Sequence, residues 1–126
     1  MLLDTQFLVW TALHPELMSE RARKLVASNS VSLTFSWVSL WEVAIKSSLG
    51  RPNFNVDVNT LHARLLSNGF ASLPIKLEHL SRVAGLPFVH RDPFDRLLVA
   101  QAAVERMVLL TSDRAMARYG AMVKVI

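Results

Sequence analysis

Apolar residues run along this chain in short bursts, and the polar and helix-breaking residues between them mark out an alternation of strands and helices. Met1-Leu2-Leu3 is an apolar run ended by Asp4-Thr5, which predicts a first strand with an acid at its exit. Residues 6–13 carry Phe7, Leu8, Trp10 and Ala12 on a short helix that His14-Pro15 breaks. An amphipathic helix is predicted over 19–27, stopped at Asn29 and Ser30. Residues 31–35 alternate as a strand does, and Ser36 caps a helix running through Trp37, Trp41 and Ile45 to Leu49. Gly50 and Pro52 close it, and 51–56 reads as a loop.

Asp57 then caps a helix over 58–66 that Asn68-Gly69 ends, and a strand over 70–73 is closed by Pro74. Residues 77–84 form a short helix and 85–89 a loop. Asp92 as cap and Pro93 as first helical residue open the longest helix, which carries the apolar run from Leu97 to Val104. Residues 107–111 are a continuous apolar strand with Ser112-Asp113 as its exit. A helical turn or two over 114–119 and an edge strand over 123–126 follow. Unbroken apolar strands separated by helices argue for an α/β fold with a parallel sheet covered on both faces. In such sheets ligands bind outside the carboxyl ends of the strands.

With 126 residues the chain is expected to form one domain. The absence of Cys excludes disulfides, thiolate catalysis and zinc-finger chemistry, and fits a reducing, cytoplasmic compartment. Asp4 interrupts the apolar start too early for a signal or membrane-spanning segment, so no membrane partner is expected. A net charge of +4 favours a polyanionic partner, although the basic residues are scattered and no single run forms a nucleic-acid arm. The 52% hydrophobic content suggests that apolar surface is left over for a protein partner.

The candidate chemistry lies in the acids. Asp4 and Asp113 follow strands, so both belong at the carboxyl edge of the sheet. Asp95 opens the long helix, with Val99 and Ala102 on its own helical face, and so sits at the same end. Glu42 lies in Trp41-Glu42-Val43-Ala44-Ile45, a segment apolar almost all round, as in a buried helix. Each acid has a plainer reading: Asp4 as a turn residue, Asp92 and Asp113 as helix caps, Glu42 as partner of Lys46 or of Ser39 in a capping box. Jointly they point further, because four acids in one cleft repel strongly unless a cation sits among them. Oxygen-only ligation favours Mg²⁺ or Mn²⁺, and a phosphodiester substrate would suit the basic balance. His90 is a candidate general acid or phosphate contact, or simply a loop histidine. Trp10, Trp37 and Trp41 read as packing residues of the core or an interface rather than base-stacking platforms.

Four blocks together resemble PIN-domain ribonucleases of the VapC toxin type. They are Leu2-Leu3-Asp4-Thr5, the segment Ser39 to Lys46, the segment His90 to Ala102, and Thr111-Ser112-Asp113. The resemblance implies a three-layer sandwich around a central parallel sheet of about five strands, with residues 1–126 as one nuclease domain. It implies Mg²⁺- or Mn²⁺-dependent cleavage of RNA at a site made of Asp4, Glu42, Asp95 and Asp113. Asp92 corresponds to an accessory acid, and Thr5, Thr111 and Ser112 to hydroxyls that support the site. Relatives of this type are toxins that form dimers and are inhibited by a cognate antitoxin. Many have His after the Asp-Thr pair, where this chain has Gln6.

Two other readings stay open on the residues alone. One is a non-catalytic RNA-binding or regulatory domain of the same fold. The other is an aspartate phosphotransfer protein using Asp4, although Gln6 breaks the Asp-x-Asp pattern of such nucleophiles.

Overall fold

The structure, a computed structural model, describes every residue except Asn29, Asn53 and Phe54. The predicted stop at Asn29 and the middle of the 51–56 loop therefore lie outside the described residues.

Hydrogen-bonding side chains set the starts of most helices. Asp4 caps α1 (Thr5–Leu13), Ser19 caps α2 (Glu20–Ala27), Ser36 caps α3 (Trp37–Ser48), Asp57 caps α4 (Val58–Ser67) and Asp92 caps α6 (Pro93–Glu105). In each case a side-chain oxygen accepts from a backbone N–H of the first turn, satisfying a donor that the helix itself leaves free. Between α4 and α6 lies α5 (Leu77–Ala84). Short 3₁₀ turns lie over Pro15–Leu17 and Arg114–Tyr119. The first of these was not expected from the His14-Pro15 break.

The strands are short: β1 (Leu2–Leu3), β2 (Thr34–Ser36), β3 (Ala71–Leu73), β4 (Leu109–Thr111) and β5 (Val123–Val125). They pair in the order β3-β2-β1-β4-β5, every pair parallel. The predicted strands over 31–35 and 107–111 thus begin later than their apolar pattern does, since pairing with the neighbouring strands starts only at Thr34 and at Leu109. β5 is an edge strand, as predicted.

Successive strand residues point to opposite faces, and the core divides accordingly. Leu3 and Leu110 join Phe7, Phe35, Val43, Leu61 and Leu65 under α1 to α4. Leu2 and Leu109 join Val38, Leu98, Val99 and Met116 on the other face, against α6. The result is a three-layer α/β sandwich around a five-stranded parallel sheet. Among the described residues no helix is long and apolar enough to cross a membrane.

Helix α3 departs from its prediction as a helix buried all round. Val38, Leu40, Glu42 and Val43 are buried, but Trp37 and Trp41 are 47% and 52% exposed. Neither tryptophan is a core residue. Trp41 instead meets Phe94 edge-on at 4.9 Å between ring centroids, and Trp37 lies 5.6 Å from the His62 ring.

Connections from β1 lead outward through β2 to β3, and the chain then crosses back through α5 and α6 to β4 on the other side of β1. The strand order therefore reverses between β1 and β4. A crevice forms at the carboxyl ends there, because the helices that follow the two strands diverge to opposite sides of the sheet.

Candidate active site

Asp4 leaves β1 and Asp113 leaves β4, so these two acids flank the reversal point directly. Together with Thr5, Gln6, Glu42, Lys46, Asp92, Asp95 and Ser112 they line a cleft of about 260 Å³. Thr111 lies fully buried beneath it, and His90 stands beside Asp113. All four acids of the predicted core site, the accessory Asp92 and the three hydroxyl residues thus meet at one place.

Capping explains how three of the acids come to point the same way. Asp4 Oδ1 accepts from the Phe7 N–H at 2.8 Å, Asp92 Oδ1 from the N–H groups of Phe94 and Asp95 at 2.8 and 3.2 Å, and Asp113 Oδ1 from the Ala115 N–H at 2.9 Å. Each helical segment begins where the chain turns away from the sheet edge, so a carboxylate that caps it is left facing the crevice. For these acids the capping reading and the site reading are compatible, since capping engages only one oxygen; the other lies outside the cap, where that of Asp4 accepts from Thr111 and that of Asp113 meets His90.

Glu42 and Asp95 are placed differently. Glu42 projects from within α3, 4% exposed, with Oε1 accepting from the Thr5 hydroxyl at 2.6 Å and Oε2 from Lys46 Nζ at 2.6 Å. The pairing with Lys46 is the one expected across one helical turn. The capping box with Ser39 does not form, because α3 starts at Ser36. The Ser39 hydroxyl lies instead 3.1 Å from that of Thr5. Asp95 stands in the first turn of α6, close to the Nε2 of His90 at 3.5 Å.

Burial has a measurable electrostatic consequence. It pushes the Asp95 carboxyl up to about 7, and the neighbouring charges of Asp92, Glu42 and Asp4 push the same way. Burial likewise raises Asp4 to about 6. There the Thr111 and Phe7 hydrogen bonds favour the ionised form, while the charges of Glu42 and Asp113 oppose it. Both acids behave as carboxylates crowded together in a poorly hydrated place, which a divalent cation would relieve.

Thr111 couples two members of the cluster. Its hydroxyl donates to Asp4 Oδ2 and accepts from the Asp113 N–H at 3.0 Å. Thr111→Val keeps the shape, removes both bonds and leaves the buried Asp4 oxygen without its donor. The expected loss is about 2–3 kcal/mol in urea unfolding, with the Asp4 carboxyl pushed further up.

The contacts that Thr111 and His90 make across the cleft could not be read from spacing. His90 Nε2 lies 3.2 Å from Asp113 Oδ2, and His90, Asp95 and Asp113 each offer an atom within 4.8 Å of the others. These partners are 23 residues apart for His90 and Asp113, and 107 apart for Asp4 and Thr111. Only the sheet order brings them together.

Comparison with known proteins agrees with this architecture. A Klebsiella pneumoniae toxin–antitoxin complex contains a chain that superposes with a TM-score of 0.67 at 16% identity, over 98% of this chain and 95% of that one. VapBC2 from Rickettsia felis, solved bound to a DNA fragment from its promoter, contains another, with a TM-score of 0.68 at 14% identity over 99% and 96%. At such identities the likeness is one of fold. No curated protein matches the chain in sequence. The PIN domain family model, in contrast, matches residues 1–122. Since that match takes in every strand but the last and every acid of the cleft, the chain belongs to the PIN domain family.

Proposed function

We propose that residues 1–126 form one nuclease domain acting as a metal-dependent endoribonuclease, the toxin of a toxin–antitoxin pair. The observation that carries this reading is the convergence of Asp4, Glu42, Asp95 and Asp113, from separate elements, on one cleft at the reversal point of the sheet. The donor set fits Mg²⁺ or Mn²⁺: it is rich in carboxylate oxygen, and two of its acids are held well above the usual carboxylate range by burial and by neighbouring carboxylates, Glu42 among them in both cases.

Asp4 and Asp95 are the principal ligands in this reading, Glu42 ligates or orients water, and Asp113 completes the site. When bound, the cation offsets the clustered negative charge, polarises a phosphoryl oxygen and makes water a stronger nucleophile near neutral pH. The protein's own contribution is to hold the acids still. Thr5 and Lys46 fix both oxygens of Glu42, Thr111 and the α1 N-terminus fix both of Asp4, and Asp92 sets the start of the helix that carries Asp95. Ser112 lines the same cleft as a supporting hydroxyl. The net charge of +4 suits an RNA substrate.

The neighbours' place in toxin–antitoxin complexes supports a cognate antitoxin as partner. The half-exposed Trp37 and Trp41 offer apolar surface for a partner chain, in keeping with a homodimer. A cytoplasmic location follows from the same reading.

The test is cleavage of structured RNA by the purified chain with Mg²⁺ or Mn²⁺. Cleavage is expected with either ion and none in EDTA. Cleavage that persists in EDTA would overturn the metal-dependent reading, and Mn²⁺ binding without cleavage of any RNA would move the chain to the non-catalytic one.

A further inference from the structure

His90, Asp95 and Asp113 have the spacing of a mixed nitrogen and oxygen metal site, with one potential ligand atom from each within 4.8 Å of the others. Hydrogen bonding around the ring argues for a different role. His90 Nδ1 faces the backbone N–H of Asp92 at 3.1 Å, and a backbone amide can only donate. Nδ1 is therefore the acceptor, and the ring proton resides on Nε2, the atom directed at the acids. A histidine that ligates a metal through Nε2 needs the opposite tautomer, with its proton on Nδ1 and an acceptor there to receive it. In His90 that proton would collide with the Asp92 N–H.

Resting on the metal-site reading above, we infer that His90 is a positioning residue, whose Nε2–H holds Asp113 toward Asp95 and which does not itself bind the cation. Asp113 needs such a restraint. Its side chain is 45% exposed at the mouth of the cleft, one oxygen caps the following 3₁₀ turn, and the other lies 3.2 Å from His90 Nε2. Asp95 Oδ2 lies 3.5 Å from the same nitrogen, so the N–H that is hydrogen-bonded to the carboxylate at the exit of β4 also stands beside the one on α6. The ring is itself fixed by the backbone N–H of Asp92, the residue that caps α6. The loop before α6 thus locks the two halves of the acid cluster together before any cation arrives.

Mn²⁺ binding to the full chain, followed by electron paramagnetic resonance, tests this without reference to activity. The wild-type protein is expected to bind Mn²⁺ with no imidazole ¹⁴N coupling in pulsed spectra. His90→Ala is expected to weaken Mn²⁺ binding about 10-fold, the lower end of what losing an orienting partner costs. His90→Gln, which restores an N–H donor, is expected to recover most of that loss, and circular dichroism checks that both variants are folded. Imidazole coupling in the wild-type spectrum would make His90 a ligand and overturn the inference, as would unchanged affinity in His90→Ala. A wild-type chain that binds no Mn²⁺ would instead overturn the metal-site reading, and this inference with it.

Discussion

Asp95→Asn is expected to reduce metal-dependent RNA cleavage by roughly three orders of magnitude, the scale of losing one preorganised electrostatic contact in an active site. The same change is expected to stabilise the metal-free protein above neutral pH. Both effects have one cause. Burial and the charges of Asp92, Glu42 and Asp4 raise the Asp95 carboxyl to about 7, from an ordinary value of 3.8. Between those values the folded protein holds a proton that the unfolded chain has released. Stability therefore falls as pH rises through that window and reaches its floor above about pH 7. Asp4 adds a slope of the same sign that ends at about 6.

The amide in Asp95→Asn is neutral at every pH, so the variant is expected to lose most of the upper part of this slope and to gain on the order of 3 kcal/mol at pH 8. Thermal unfolding across pH, without metal, measures it. Adding Mg²⁺ or Mn²⁺ is expected to raise the wild-type midpoint at pH 8 and to leave that of the variant nearly unchanged. Equal cleavage by the variant would remove Asp95 from the site. A variant less stable than wild type at every pH would make that carboxylate structural.

Much of this site is legible in the sequence because it is built from local rules. An acid after an apolar strand, and an Asp-Pro pair before an apolar helix, mark Asp113 and Asp92 as caps and put Asp4 at a strand exit, where the structure makes it a cap rather than a turn residue, and caps at one sheet edge face one crevice. The helix boundaries follow for the same reason: Ser36 and Asp57 cap where they were expected to, while Ser19, expected as the first residue of its helix, is that helix's cap. What is not legible depends on neighbours in space. Nothing in the sequence says that β4 lies beside β1, and on that adjacency rest the bonds from Thr111 to Asp4 and from His90 to Asp113. Trp37 and Trp41 illustrate the same limit. Their segment reads as packing in the core or at an interface, and only the structure removes the core, because both indoles are about half exposed. Glu42 could be assigned to Lys46 by helical spacing, yet its second oxygen goes to Thr5, a residue on another helix.

Gln101→Leu is expected to give the largest stability loss of any single change argued from this structure. Gln101 is fully buried on α6, and sequence alone reads it as one polar interruption of an apolar run. Its amide instead joins three elements. The oxygen accepts from Ser36, the cap of α3, while the nitrogen donates to the Pro74 carbonyl beyond β3 at 3.3 Å and lies 3.2 Å from His79 Nδ1. That nitrogen also accepts from the Lys76 N–H at 3.0 Å, which fixes the His79 proton on Nε2, aimed at Glu105 at 3.0 Å. The amide therefore has one workable orientation. Leu matches the volume and opens no cavity, so the cost is that of stranding the polar partners. The fully buried Ser36 hydroxyl loses its acceptor, and the Pro74 carbonyl, on an exposed residue, loses its donor, for about 3–4 kcal/mol together, most of it at Ser36. Urea unfolding should show the midpoint fall with the m-value unchanged. A loss below about 1 kcal/mol would mean that water or neighbouring groups can replace the amide. The consequence should also reach the cleft, because Ser36 starts the helix that carries Glu42, and Gln101 sits on the helix that carries Asp95. Loosening this buried polar tie is expected to weaken Mn²⁺ binding even where the variant remains folded, an effect that destabilisation of a remote core position would not produce.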